Sequence, residues 1–212
     1  MTTLLILGAT AGIGKLACEE ALSRGHTVRA FGRSAETLPA QPQLEPWVGD
    51  ALNAEDVAGA LEGVDAVIYA LGIKESPAML WQQVTLFSET TRILIDQMQE
   101  KGVTRLVAVT GFGAGRSKAA LSKIEQLGHR AILGKPYADK DRQEDMILNS
   151  NLDWTIVRPV ILTNNPKTEK YHVLRDIGQW RNGLISRADV AHYLIDAATS
   201  DTDIGHDVVL AR

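Results

Sequence analysis

The chain has 212 residues, 45% of them apolar and 23% charged, and a net charge of −4. That balance fits one ordinary α/β unit and supplies no electrostatic pull toward nucleic acid. No apolar run nears the roughly 20 residues that span a bilayer, no basic segment precedes the first apolar stretch as a signal peptide requires, and the lone cysteine, Cys18, fits a reducing, cytoplasmic setting without disulfides.

Thr3–Leu7 (TLLIL) is an apolar run of the kind buried on both faces of a parallel sheet. Gly8, Gly12 and Gly14 follow at once, and Ile13, Leu16, Ala17 and Ala21 then recur at helical spacing. A strand, a glycine turn and a helix start in that order make a phosphate site. Gly8 turns the chain tightly and Gly12 lets the backbone approach a pyrophosphate. Gly14 lets the helix pack on the strand while its N-terminal N–H groups face the anion. With Thr10, Ala11 and Ile13 between them, these glycines form the expected dinucleotide cradle. Cys18, in this first helix, reads as a small buried apolar residue.

Thr27–Phe31 (TVRAF) is the second strand, and what stands at its end selects the cofactor. An NAD site usually places an acid there for the ribose 2′-hydroxyl. This chain has Gly32-Arg33-Ser34 instead, and a guanidinium suits a 2′-phosphate, so NADP is expected over NAD. Leu44–Val48 is the third strand. Asp50, after it, either meets the adenine edge or caps the helix around Ala54–Leu61, and Asn53 is the better cap. Val64–Leu71 reads as the fourth strand, with Ala70, Leu71 and Gly72 at its end, where the chain passes the nucleotide's ribose and phosphates. Val84, Phe87, Leu94, Ile95 and Met98 keep helical spacing in a long helix from Leu80, which crosses over to the fifth strand, Arg105–Thr110. Alternating strands and helices predict a parallel sheet with helices on both faces and ligands beyond the C-terminal strand ends, where Gly8, Arg33, Asp50, Gly72 and Thr110 all fall.

The second half is less regular. Residues 111–135 open with GFGAG and carry Arg116, Lys118, Lys123, Arg130 and Lys135 against the single acid Glu125. This segment reads either as a lid over an anionic group or as a solvated insertion. A helix is expected from about Ala138 to Asn149, and a sixth strand at Trp154–Arg158, closed by Pro159 on the cofactor side. Residues 163–179 are polar, with a possible strand at Tyr171–Leu174. Residues 111–135 and 160–185 are thus the expected substrate-side loops of a single domain, 1–212. Ser186, with Asp189, caps the last helix, whose buried stripe is Val190, Tyr193, Leu194, Ala197 and Ala198. Asp207–Leu210 is the expected closing edge strand. The five histidines show no metal-ligand spacing and no G-x-S-x-G elbow occurs, so no metal and no serine hydrolase is expected.

LGATAGIGK, VDAVIYALG and YADKDRQEDMILNSNLDWTIVRPVILT together resemble the short-chain dehydrogenase/reductase superfamily. The likeness is to its atypical members, which include NAD(P)H-binding, NmrA-like and flavin reductase (biliverdin-IXβ reductase) proteins. It implies a Rossmann-like, doubly wound parallel sheet with a small irregular C-terminal substrate region. The glycine spacing is the typical short-chain one; the atypical group more often has a glycine where Ala11 stands. The superfamily's catalytic set is a Ser or Thr ending strand five plus Y-x-x-x-K. Thr110 and Lys140 match it and are implied at both cofactor and substrate, with Glu144 one turn beyond the lysine. Pro136 stands where the tyrosine belongs, and Tyr137 lies one position, about 100°, round the helix; it reaches the site if the helix begins after it, with Pro136 marking the helix start. The resemblance implies either of two functions. One is hydride transfer from NADPH to a small acceptor (a quinone, a flavin or a carbonyl) by a monomer or homodimer. The other is a non-catalytic NmrA-type NADP sensor acting on a protein partner.

Overall fold

The computed structural model describes residues 1–72, 84–121 and 123–212, and for 123–134 the backbone alone. The elements in chain order are β1 (Thr3–Leu7), α1 (Gly12–Ser23), β2 (Thr27–Gly32), β3 (Leu44–Val48), α2 (Ala54–Ala60), β4 (Ala66–Tyr69), α3 (Leu86–Lys101) and β5 (Arg105–Val109). They continue with α4 (Lys123–Leu148), β6 (Asp153–Pro159), β7 (Ile161–Thr163), β8 (His172–Leu174), β9 (Leu184–Ser186), α5 (Arg187–Ala198) and β10 (His206–Ala211). Eight strands form one sheet in the order β3-β2-β1-β4-β5-β6-β10-β8. Every pairing in it is parallel except β8 against β10. The strand order reverses between β1 and β4, so a crevice opens above their C-terminal ends. This is the Rossmann-like, doubly wound arrangement.

Burial follows the two-residue period of a strand. Leu4 and Ile6 of β1 join Ala17, Cys18 and Ala21 of α1 and Val190 and Leu194 of α5 on one face. Leu5 and Leu7 join Val57 of α2, Phe87, Leu94 and Met98 of α3 and Ile147 of α4 on the other. All four are 0–1% exposed, so a continuous apolar run is what this central strand requires. Each such side chain contributes about 1.5–3 kcal/mol.

Local chemistry sets the helix ends as expected in two places. Asn53 Oδ1 accepts from the N–H groups of Glu55 (2.9 Å) and Asp56 (3.4 Å) at the start of α2. Ser186 Oγ accepts from Asp189 N–H at 2.9 Å and donates to the Asp189 carboxylate at 2.8 Å. That carboxylate also accepts from Thr168 N–H (2.7 Å) and Glu169 N–H (2.8 Å), which ties the irregular 163–171 stretch to α5.

Several expectations need correction. Helix α4 begins at Lys123, not near Ala138, and so takes in the latter half of the expected 111–135 loop. Pro136 therefore lies inside the helix instead of starting it; packing overrides a residue that costs a helix interior about 3 kcal/mol. The closing strand is not an edge: β8 lies outside β10, whose residues 207–211 are all buried. Strands β7 and β9, three residues each, pair in parallel as a small second sheet and are too short for a periodicity to register. Helix α3 begins at Leu86 with Thr85 as its N-cap, so Val84, expected within the helix, precedes it; Leu80, the expected start, lies outside the described residues.

Candidate functional site

The three glycines after β1 hold different positions for different reasons. Gly8 has φ +84°, and a Cβ built on it would stand 2.6 Å from the Ala70 carbonyl oxygen. A Cβ on Gly14 would stand 2.3 Å from the Gly8 carbonyl oxygen. These two let β1, β4 and α1 approach one another. Gly12 has φ +55°, yet its Cβ would meet nothing within 4 Å. Helix α1 starts there with no side-chain cap on Ala11 and no acid in its first turn. An open glycine before an uncapped, uncountered helix start is a place for an anion. Ala11 and Gly12 are exposed, Thr10 and Ile13 half-buried. Cys18 is buried behind the cradle, its thiol pushed up to about 12 by that burial and by Glu19, so it stays a packing residue as expected.

At the end of β2, Arg33 and Ser34 are exposed. Arg29, on the same strand, is held by Glu45 Oε2 at 2.8 Å and by the carbonyls of Ala60 and Glu62, and stacks on Trp47. Arg33 has no such partner among the described residues. Gly32 runs beside Thr10, whose Cγ2 would be 3.6 Å from a Cβ there, so Arg33 follows directly past the glycine cradle. Asp50 accepts from Leu52 N–H at 3.0 Å while its own N–H donates to Asp56 at 2.8 Å. It shapes the turn into α2 and leaves the capping to Asn53. Ala70 donates to the Leu7 carbonyl at 3.0 Å, which brings Ala70, Leu71 and Gly72 alongside Gly8.

The expected catalytic set gathers at residues 110–111. Thr110 is 3% exposed, and its hydroxyl donates to Glu144 Oε1 at 2.7 Å. The Lys140 ammonium donates to the Thr110 main-chain carbonyl and lies 4.9 Å from the Phe87 ring centroid and 5.7 Å from that of Tyr137. Burial pushes its pKa down to about 8, against the opposing pull of Glu144. Tyr137 reaches the same place in spite of its helical offset: a Cβ on Gly111 would stand 2.7 Å from its hydroxyl oxygen. Pro159 is buried and its carbonyl accepts from Phe112 N–H at 3.0 Å, so it backs this segment.

The segment after β5 is not a free basic flap. Arg116 is held by Asp207 and Lys118 by Asp141, and Gly115 N–H donates to Asp141 Oδ1 at 2.8 Å. Carboxylates of the chain itself thus hold two of the five cations of this segment. Lys123 and Arg130 lie where only the backbone is described.

Sequence reading undervalued the groups behind this site. Arg158, 0% exposed, donates twice to Glu144 (3.0 and 2.7 Å) and once to Asp207 (2.5 Å). Trp180 covers both guanidiniums, with its ring centroid 5.0 Å from Arg158 Cζ and 5.8 Å from Arg116 Cζ. The signal was present: an arginine inside WTIVRP and an aspartate opening DVVLA are charges in buried strands, and each needs a partner.

The chain belongs to the NAD(P)H-binding family, which matches it over residues 8–201. It is similar to the structure of ChuY, an anaerobillin reductase of Escherichia coli, with 26% identity, a TM-score of 0.79, and coverage of 99% of this chain and 97% of that one. A short-chain dehydrogenase/reductase of Veillonella parvula in complex with NADP shares the fold at TM-score 0.83, with 18% identity and coverage of 100% and 94%. Among curated proteins, the 3-beta-hydroxysteroid dehydrogenase of Mycolicibacterium neoaurum is 33% identical over 110 residues, 49% of this chain and 30% of that enzyme, so the match spans well under half of it. These likenesses agree with an NAD(P)-binding, oxidoreductase-like protein of the atypical short-chain group. Among the described residues no metal-ligand cluster occurs, and no helix is long and apolar enough to cross a membrane.

Proposed function

We propose that the protein is an NADPH-dependent reductase of a small conjugated acceptor. The observation that carries this reading is the state of the catalytic set. Lys140 is seated at the end of β5, while the Thr110 hydroxyl is committed to Glu144 and Tyr137 stands one residue from the usual donor position. A simple carbonyl needs a proton delivered to its oxygen as hydride arrives. A conjugated acceptor delocalises the charge and takes its proton from water, so orientation against the nicotinamide suffices. ChuY, a reductase by its description, is consistent with an extended acceptor of this kind.

The residues present fit the dinucleotide. Gly12 and the start of α1 would receive the pyrophosphate, Arg33 and Ser34 the 2′-phosphate, Ala70–Gly72 the ribose and phosphates, and Lys140 the nicotinamide ribose. The bound nicotinamide supplies the hydride. The rings of Tyr137 and Phe87 flank the Lys140 ammonium. Arg33→Ala is expected to weaken NADPH binding by about tenfold to a hundredfold, the ~1.5–3 kcal/mol of a hydrogen bond to a charged group, and to leave NADH nearly unchanged. Titration calorimetry with both cofactors checks this, and equal loss for the two removes the case for NADP.

Tyr137→Phe is expected to lower kcat by less than about tenfold, well under the roughly 10²–10⁴ of a lost general acid. The assay follows NADPH oxidation with bilins, quinones, flavins and aldehydes. A thousandfold loss would make Tyr137 the proton donor and shift the substrate class to carbonyls. Tight NADPH binding with no turnover on any acceptor would favour the sensor reading.

A further inference from the structure

We propose that Glu144 is the positioning residue of this site: it pins the end of β5 and the glycine segment after it, and so seats the Lys140 ammonium on the Thr110 carbonyl. Glu144 lies one helical turn after Lys140 on α4, so the two side chains share a face. Its Oε1 takes the Thr110 hydroxyl at 2.7 Å and Arg158 Nε at 3.0 Å, and its Oε2 takes the Arg158 terminal nitrogen at 2.7 Å. Two parallel N–H···O bonds to a planar guanidinium fix the carboxylate in both position and plane.

Arg158 is itself held by Asp207, and Asp207 by Arg116. The path therefore runs from Thr110 through Glu144, Arg158 and Asp207 to Arg116, six positions further along the segment it left. The contacts close on themselves around the glycines. Gly115 (φ +49°) lies so near the Glu144 carboxylate that an added Cβ would overlap Oε2, so the backbone of that segment rests on the carboxylate directly. Glu144 is 1% exposed and Arg158 0%, Asp207 is buried with them and Trp180 lies over the arginines, so this inner part of the path is shielded from solvent, while Arg116 at its end is exposed.

What this fixes for chemistry is the Thr110 carbonyl, the acceptor for Lys140. Among the described residues the charge that bears on the lysine is the Glu144 carboxylate on α4; the two rings beside the ammonium are Phe87 of α3 and Tyr137 of α4, the latter carrying a phenol. Removing the negative charge of Glu144 takes away the charge that favours the ammonium form of Lys140. Removing the Thr110 hydroxyl does something different: main-chain bonds from Thr110 to Val157 (2.9 Å) and from Phe112 to Pro159 (3.0 Å) keep the strand end in place, but its tie to the Glu144 carboxylate is cut, which loosens the seat of the lysine. The two changes push the lysine's titration in opposite directions, which mere damage to the fold does not do.

The test reads Lys140 directly, by trace acetylation across pH with peptide mass spectrometry on the intact chain. In Glu144→Gln the midpoint for Lys140 is expected to fall by about one pH unit, the low end for a lost counter-charge. In Thr110→Val it is expected to rise toward the ordinary lysine range, and Thr110→Ser is expected to restore it. If Glu144→Gln fails to fold, the Thr110 pair decides alone. A Lys140 midpoint unmoved in either folded variant overturns the proposal. NADPH oxidation with the acceptor panel is run alongside. The assignment of turnover rests on the reductase reading; if the unmodified protein reduces nothing, that reading fails while the labelling result still decides the role of Glu144.

Discussion

Gly12→Val is expected to weaken NADPH binding by more than about a hundredfold, or about 3 kcal/mol, while Gly102→Val leaves it unchanged. The pair is matched. Both glycines have positive φ, +55° and +71°, and a Cβ on either meets no atom of the chain within 4 Å. Both substitutions therefore carry the same backbone penalty, roughly 1–2 kcal/mol for a left-handed residue, with more for a β-branched one. They differ in what the empty space is for. At Gly102 it is solvent beyond the end of α3; at Gly12 it is the approach to the start of α1, where a pyrophosphate would lie. Gly8 and Gly14 are poor choices for this test, because their Cβ atoms would strike backbone and the loss would be one of folding. Calorimetric titration of both variants, with circular dichroism to show that they fold, checks the result. Retained binding in Gly12→Val would mean that the loop is only a turn.

The largest effect on stability is expected at Arg158. Arg158→Ala leaves the carboxylates of Glu144 and Asp207 buried, with only Arg116 on Asp207 and the nearby Lys140 charge on Glu144 to compensate, and is expected to cost about 3–5 kcal/mol. Urea unfolding measures it. Arg92→Ala, which removes an exposed pair with Asp96 at 3.2 Å, is the control and is expected to change stability by less than about 0.5 kcal/mol. The pH dependence has a definite sign. Burial alone would raise the Asp207 carboxyl, but hydrogen bonds and charge from Arg116 and Arg158 hold it below the usual carboxylate range. The stabilisation it contributes is thus present above the unfolded pKa and is lost as pH falls through the lowered folded value. Arg158→Ala, lacking one of these partners, should show a weaker acid dependence than the unmodified chain.

Much of the architecture was legible because the first half of the chain states each element twice. TLLIL is apolar enough for a strand buried on both faces, and the glycines that follow have spacing that only a tight strand–helix junction needs. Thr110 and Ser186 were likewise placed by position relative to such elements, whereas Lys140 came from the family resemblance alone. Legibility ended where long-range packing decides. Pro136 reads locally as a helix start, but the surrounding fold carries α4 through it. The short strands β7, β8 and β9 owe their existence to neighbours that the sequence brings close only after folding. The charge cluster was hidden for a related reason. Glu144, Arg158, Asp207 and Arg116 are spread over about ninety positions, and each alone resembles an ordinary surface charge.

The two margins of the large sheet bear on how the protein behaves in a crowded solution. At one side β3 carries Pro46 opposite Ala30, a position with no N–H to offer a further strand, and Glu45 beside it is drawn back by Arg29. At the other, β8 has only three residues and runs against the direction of its neighbours. A row of unsatisfied amide groups is the template on which chains stack into insoluble aggregates. Here one row is interrupted by an imino acid and the other is cut to a single short rung-set. Growth by strand addition therefore has no usable starting surface at either side, and replacing Pro46 with valine would supply one.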